Sequence, residues 1–308
     1  MQKIIVIVGP TAVGKTDLSI KLAQKFNGEI ISGDSMQVYR KLDIGTAKIL
    51  PNEQQGIPHH LINIKNVNER YSVADFVTDA QTAINEISKR NKLPIIVGGT
   101  GFYISALLNG LQLGGDYDFD SQLRTELLDI AEQQGKIALL SRLQKVDSLA
   151  AAQIDTANTS RIIRAIEVKE KTGHSILEQT NHVPEIDPYV ITLTTERAVL
   201  YDRINTRVEQ MMTAGLLKEA HWLYDQGGES LPAGKGIGYR EFNPYFNGNS
   251  TLENAVAEVK KDSRHYAKRQ LTWFRNKTKV NGWYDLVAQP AELTKIETDV
   301  ANWLLTKN

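Results

Sequence analysis

The 308-residue sequence contains no cysteine. That excludes disulfides, iron–sulfur clusters, thiolate zinc sites and a cysteine nucleophile, and it suits a reducing cytosol. It has no excess of either charge. The 36 Lys and Arg are matched by 36 Asp and Glu, so any grip on nucleic acid must come from a local patch. Long apolar runs are missing as well. The first run, Ile4-Ile5-Val6-Ile7-Val8, leads straight into a glycine-rich loop and reads as a buried strand, not a leader. No segment approaches the ~18 apolar residues of a membrane span. A cytoplasmic protein without a membrane partner is expected. The length suits about two domains with a sizeable core.

What the chain does have is Gly9-Pro10-Thr11-Ala12-Val13-Gly14-Lys15-Thr16, which fits G-x-x-x-x-G-K-[ST] at every fixed position. It follows the apolar run and precedes a helical pattern, Leu18, Leu22, Ala23 and Phe26. Strand, glycine loop and helix in that order make a phosphate cradle: backbone N–H groups converge and the helix N-terminus adds positive potential. Lys15 is placed to reach a distal phosphate, and the Thr16 hydroxyl to complete a Mg²⁺ shell.

A second strand, Glu29 to Gly33, stops at Asp34-Ser35-Met36-Gln37-Val38-Tyr39-Arg40. Polar residues just past a buried parallel strand lie on the ligand edge of an open α/β sheet. His59 and His60 point opposite ways and have no carboxylate at ligand spacing, so they read as structural. Ser72 to Arg90 is an amphipathic helix. Pro94 to Val97 is a third strand, ending in Gly98-Gly99-Thr100-Gly101. Three strand–helix units in succession imply a doubly wound parallel sheet.

The pattern changes near Gly114-Gly115-Asp116. Helical stretches follow, Phe119 to Gln134, Lys136 to Val146 and Ser160 to Lys171, before a strand returns at Tyr189 to Thr194. The expected fold is therefore α/β: a core of 1–115 and 189–308 like that of phosphate-loop nucleoside-triphosphate hydrolases, with an all-helical insertion at 116–188. A long helix from Arg197 to Ala214 carries Arg203 and Arg207 one turn apart. Another, from Leu252 to Trp273, places Lys260, Arg264 and Lys268 on one face. From Lys260 to Lys279 there are eight Lys and Arg against the single acid Asp262, interleaved with aromatics, which favours nucleic acid.

The loop alone specifies a polyphosphate or diphosphate. The usual nucleotide hydrolase also needs a strand-end Asp on Mg²⁺, and neither the 95–97 nor the 190–193 strand ends that way. Asp34 is the strand-end carboxylate. It is placed to orient a metal, to act as a general base, or to cap a turn with Ser35. A small-molecule kinase, an isopentenyltransferase acting on free nucleotides and a non-catalytic RNA-binding module all remain compatible with these residues.

The motifs so far, with Pro58-His59-His60-Leu61, Gly45-Thr46-Ala47-Lys48, Arg161 to Val168, Arg207 to Met211, Gly236 to Arg240 and Tyr266 to Arg275, resemble those of the tRNA dimethylallyltransferases. These are also called tRNA isopentenyltransferases, the IPP transferase family. The resemblance runs in order to about Arg275. Before Arg161 the family often shows His-Pro-Asn-Asp, whereas Asp155-Thr156-Ala157-Asn158 stands here. The resemblance implies transfer of a dimethylallyl group from dimethylallyl diphosphate to N6 of adenine 37, next to the anticodon of tRNA, with release of pyrophosphate. It implies Mg²⁺ as cofactor, the anticodon stem-loop as partner and a monomeric enzyme.

By that resemblance Asp34, Thr100, Lys15 and Arg207 are catalytic. Gly9 to Thr16 binds the diphosphate, or a nucleotide such as ATP competing for the loop, and Thr16 holds the metal. Asp34, Ser35, Met36, Gln37, Thr100, Arg124, Ser160, Arg161, Ile162, Ile163 and Arg164 would contact tRNA. Gln37 offers a donor and an acceptor to a flipped base. Lys260, Arg264, Lys268 and Arg275 would hold phosphates.

Overall fold

Ile4 to Val8 have no accessible surface, as a parallel strand covered on both faces requires. They form β1 (Gln2–Val8) in a computed structural model that describes residues 1–111, 121–178 and 184–306. Around β1 stand β2 (Gly28–Ser32), β3 (His59–His60), β4 (Leu93–Gly98), β5 (Ile186–Leu193) and β6 (Gly282–Tyr284). All pairs are parallel, in the order β3-β2-β4-β1-β5-β6. The register sets Ile5 beside Ile95 on one side and Tyr189 on the other. The expected doubly wound α/β core is present. The strand expected to begin at Tyr189 begins at Ile186, and the short edge strands β3 and β6 join strands that the sequence showed.

Alternate residues of β1 serve opposite faces, as the period of a strand dictates. Ile5 and Ile7 pack with α1 (Lys15–Lys25), α8 (Arg197–Ala214) and α12 (Glu292–Leu305), through Leu22, Ile204 and Val300. Ile4, Val6 and Val8 pack with α2 (Val73–Lys89), α3 (Gly101–Asn109) and α11 (Leu252–Lys277), through Phe76, Ile104 and Phe274. Each fully buried side chain of this size contributes about 1.5–3 kcal/mol. A third cluster holds the loop after β2 to α9 (Leu216–Asp225) and the segment before α10 (Asn243–Phe246), through Val38, Leu42, Ala220 and Phe242.

By its internal contacts the chain divides into two compact units, 1–108 with 184–308, and 109–183. The second unit contains α4 (Ser121–Gln133), α5 (Lys136–Val146), α6 (Ser148–Gln153) and α7 (Thr159–Thr172) around Leu127, Leu139, Leu143, Ile162 and Ile166. Asn158 caps α7 by accepting from Ser160 N–H at 3.0 Å, and Asp155 accepts from Ala157 N–H at 3.1 Å. The turn that departs from the family pattern thus closes with its own residues. Gly114-Gly115-Asp116 and the helix start at Phe119 lie outside the described residues.

A buried carboxylate braces the edge of the sheet away from the phosphate loop. Glu29 accepts from His60 Nε2 and Arg90 Nη2, both at 2.7 Å, and pairs with Lys92 at 3.1 Å. Burial by itself would raise its carboxyl, but the bonds from His60, Arg90 and Lys92 outweigh that and hold it at about 2. A carboxyl lower in the folded than in the unfolded chain stabilises above its unfolded value near 4.5 and loses that contribution as pH falls towards 2. Glu29→Gln should therefore melt at a lower temperature than wild type at pH 7. The gap should narrow as pH drops below about 4.5. A gap constant from pH 7 to pH 3 would count against this role.

Candidate active site

Three neighbouring strands deliver the site to one edge. β2 leads into Asp34, β4 into Gly99-Thr100, and β1 into the phosphate loop, the three strands side by side in the order β2-β4-β1. Gly9 makes the turn out of β1 with φ 145°, and a Cβ there would stand 2.5 Å from the Leu193 carbonyl oxygen. Any side chain would push β1 and β5 apart at this point.

The loop is held from within and from two helices. Lys15 Nζ donates to the carbonyls of Gly9 at 3.0 Å and Pro10 at 2.6 Å. From α8, Arg203 Nε donates to Ala12 O at 2.9 Å and Arg207 Nη1 to Thr11 Oγ1 at 3.3 Å. From α11, Gln270 Oε1 accepts from Thr11 N–H at 3.0 Å. Burial lowers the Lys15 ammonium to about 7; Arg207 adds to that and Asp34 opposes it. Burial also lowers Arg207, with Asp34 again opposing. Two desolvated cations share this place, and each gains from a polyanion arriving between them.

Asp34 Oδ1 accepts from Met36 N–H at 2.8 Å and Gln37 N–H at 3.3 Å, an Asx turn. Both bonds fall on Oδ1 and leave the lone pairs of Oδ2 for another donor. Thr100 Oγ1 accepts from Ser35 N–H at 3.1 Å, which ties the β4 loop to the Asp34 turn. Asp34, Lys15, Thr16, Gln37 and Arg207 line one cavity of about 900 Å³. That is at the upper end of the roughly 300–1,000 Å³ usual for small-ligand sites.

The other expected contacts are distributed differently. Gln37 has both ends of its amide engaged: Oε1 accepts from Ser32 Oγ at 2.9 Å and Nε2 donates to Thr46 O at 3.3 Å. To read a base it must leave these partners. Ile162 and Ile163 are buried in the helical unit, so their side chains build its core and offer no surface. Arg124 donates to Glu167 at 3.0 and 3.1 Å, and Arg164 lies 3.8 Å from the same carboxylate. Arg161 is exposed and pairs with Asp155.

On α11 the basic face divides. Lys260 pairs with Glu209 and Arg264 with Asn205, both on α8, because this helix packs along α8 there. Lys268 instead lines a shallow groove with Arg269, Trp273 and Lys277. Arg275 lies 5.7 Å from the ring centre of Trp283. Of the paired histidines, His60 braces Glu29, whereas His59, whose Nδ1–H donates to Ile57 O, lines the same cavity as the phosphate loop.

Several residues of the site carry no local signal. Glu219 accepts from the N–H groups of Asp43, Ile44 and Gly45 at 2.9 Å and from Tyr239 Oη at 2.7 Å, pinning the loop that forms one cavity wall. Gln270 had one faint cue. It is a polar residue on the buried stripe Ala255, Val259, Ala267 and Phe274.

Sheet, glycine loop and carboxylate define a phosphate-loop α/β protein that has, in the same cavity, a carboxylate from just past β2, on the far side of β4 from β1. The sequence pattern of the IPP transferase family matches residues 37–277, most of the chain. The chain belongs to that family. It is 54% identical over 307 residues to the tRNA dimethylallyltransferase of Limosilactobacillus reuteri strain DSM 20016, covering 99% of both chains. It is also 54% identical to the Enterococcus faecalis protein of that name, over 309 residues covering 100% of this chain and 99% of that one. Among solved structures it is similar to the tRNA isopentenylpyrophosphate transferase of Bacillus halodurans, with TM-score 0.74 and 48% identity over 98% and 96% of the two chains. It is likewise similar to a eukaryotic dimethylallyltransferase described as acting on tRNA, with TM-score 0.84 and 31% identity over 98% and 79%.

Proposed function

We propose that this chain transfers the dimethylallyl group of dimethylallyl diphosphate to N6 of an adenine next to the anticodon of tRNA. The observation that carries this reading is the convergence of Asp34 with Lys15 and Arg207 in one cavity, a base opposite a cradle for a leaving diphosphate. An exocyclic adenine amine is a poor nucleophile because its lone pair is delocalised into the ring. It attacks the allylic carbon as the carbon–oxygen bond breaks. Its proton goes to Asp34, and the bonding pair leaves on pyrophosphate, where Lys15 and Arg207 meet the growing charge. The Thr100 hydroxyl is assigned to the bridging oxygen.

Mg²⁺ fits this site as a cation arriving with the diphosphate. Among the described residues no group of three His, Asp or Glu forms a cage. A hard cation that keeps its waters and takes substrate phosphates needs little more than the Thr16 hydroxyl. When bound, it would spread charge on the departing pyrophosphate.

The acceptor is tested by competition. With labelled donor, Mg²⁺ and equimolar unmodified tRNA and AMP, label should enter tRNA. Label in AMP alone would convert the reading into a free-nucleotide isopentenyltransferase.

The RNA surface has its own test. Lys268→Ala should reduce the salt slope of tRNA binding by about one phosphate contact and leave the melting temperature unchanged. Lys260→Ala and Arg264→Ala should also loosen the seam with α8. An unaltered slope in Lys268→Ala would return that groove to ordinary solvated surface.

A further inference from the structure

The two loops that the reaction brings face to face leave neighbouring strands. The β1–β4 ladder ends at Val8 and Gly98, and past it the phosphate loop and the Gly99-Thr100 turn diverge. One side chain from α11 closes the gap. Gln270, 4% exposed, accepts from Thr11 N–H through Oε1 at 3.0 Å and donates from Nε2 to Gly99 O at 2.9 Å. An N–H on one side and a carbonyl on the other fix which way the amide points. The side chain thus adds a rung where the two backbones no longer pair. The fit leaves no slack, since a Cβ on Gly99 would stand 2.1 Å from Gln270 Nε2. Further along the helix, Trp273 Nε1 donates to Ser105 Oγ of α3 at 2.8 Å and holds α11 against this turn.

The rung lies between the two halves of the chemistry. On one side Thr11 Oγ1 accepts from Arg207 at 3.3 Å, in the loop that Lys15 also ties. On the other, Gly99 leads into Thr100, whose Oγ1 accepts from Ser35 N–H at 3.1 Å beside the Asp34 turn. The place calls for one acceptor and one donor on the same side chain. An ionised Glu offers acceptors alone and Lys donors alone, whereas an amide offers both. This accounts for a polar residue on the otherwise apolar buried stripe of α11.

We propose that Gln270 is a positioning residue: its amide rung sets the spacing between the diphosphate cradle and the Asp34 turn, and with it the alignment of amine, carbon and leaving oxygen. The inference rests on the prenyl-transfer reading. Gln270 acts through the two loops and exchanges no proton with substrate. Reacting groups misplaced by about 1 Å cost up to about 10²-fold in rate.

The test compares single-turnover rates of Gln270→Glu and wild type from about pH 8 to about pH 5, with the full chain, Mg²⁺, tRNA and dimethylallyl diphosphate. At the alkaline end the new carboxylate still accepts from Thr11 N–H but sets a second acceptor against Gly99 O. Transfer should then slow about tenfold, the weight of one such hydrogen bond. Burial and the Gly99 carbonyl favour the protonated carboxyl, while Lys15 and Arg207 in the cavity oppose it. Once protonated, it donates to Gly99 O as the amide does. The ratio to wild type should therefore climb to within about threefold as pH falls. Asp34, Lys15, Arg207, Arg269, Tyr266 and His59 line the same cavity, and their titration divides out because both proteins share it. KM for donor and for tRNA should stay within about twofold. Gln270→Met, which makes neither bond, should be slow at every pH. If these variants fail to fold, Gly99→Ala pushes the amide off its carbonyl from the other side. It should lower kcat about tenfold with both KM values kept. A ratio flat across pH, a loss confined to KM, or a wild-type rate would overturn the proposal. An inactive wild type would instead overturn the reading beneath it.

Discussion

Asp34→Asn should lower the single-turnover rate of prenyl transfer by about 10²-fold or more, the usual weight of a general base. Its structural cost should be small. Asp34 Oδ1 accepts from Met36 and Gln37 N–H, and an asparagine oxygen accepts the same two bonds in the same turn. What is lost is the capacity to take a proton at Oδ2 as N6 bonds to carbon. Affinity for tRNA and donor should hold within a small factor, and the melting temperature should stay close to wild type. A near-normal rate would remove Asp34 from the role of base and leave it as the turn residue that its backbone bonds describe.

The second large effect is expected at Lys15, which lines the same cavity. Lys15→Ala should lower kcat/KM for dimethylallyl diphosphate by roughly 10²–10³-fold, the magnitude found when one preorganised donor to a developing anion is removed. Lys15 does two things in the free protein: it ties the carbonyls of Gly9 and Pro10 together, and it holds a desolvated charge beside Arg207. The diphosphate is therefore expected to lose both ground-state affinity and leaving-group stabilisation. Lys15→Ala should raise KM for the donor and lower kcat, whereas Asp34→Asn should lower kcat alone. A variant with normal kcat and only a raised KM would assign Lys15 to binding and not to the departure of pyrophosphate.

The two variants also mark what local sequence pattern can disclose. Lys15 opens the helix that follows β1 and its glycine loop, and Asp34 lies just past β2; the apolar runs of both strands are plain in the chain. Glycine loop, strand and helix are short-range signals, and α8 has the bounds that its periodicity implied. The strands β3 and β6, of two and three residues, are too short to show a period and form only because a neighbour's free edge is there to pair with. The tethers on the loops that line the cavity lie further beyond reach: Gln270 meets Thr11 of the phosphate loop across 259 positions, and Glu219 meets Asp43 of the loop after β2 across 176. Charge spacing on α11 is a partial guide. It brings Lys260, Arg264 and Lys268 onto one face, but which of them α8 takes up depends on how the helices pack.

The central claim, that the phosphate loop serves the diphosphate of an allyl donor and not the γ-phosphate of a nucleotide, rests on chemistry that one measurement can follow. No strand beside the loop ends in a metal-binding Asp of the hydrolase kind, and the carboxylate that shares the cavity is placed for an attacking amine. Purified protein, Mg²⁺, unmodified tRNA and dimethylallyl diphosphate should be combined without any nucleoside triphosphate, and pyrophosphate and prenylated tRNA measured together. The expected result is completion with the two products in equal amounts. A strict requirement for ATP, with ADP formed in step with product, would contradict it.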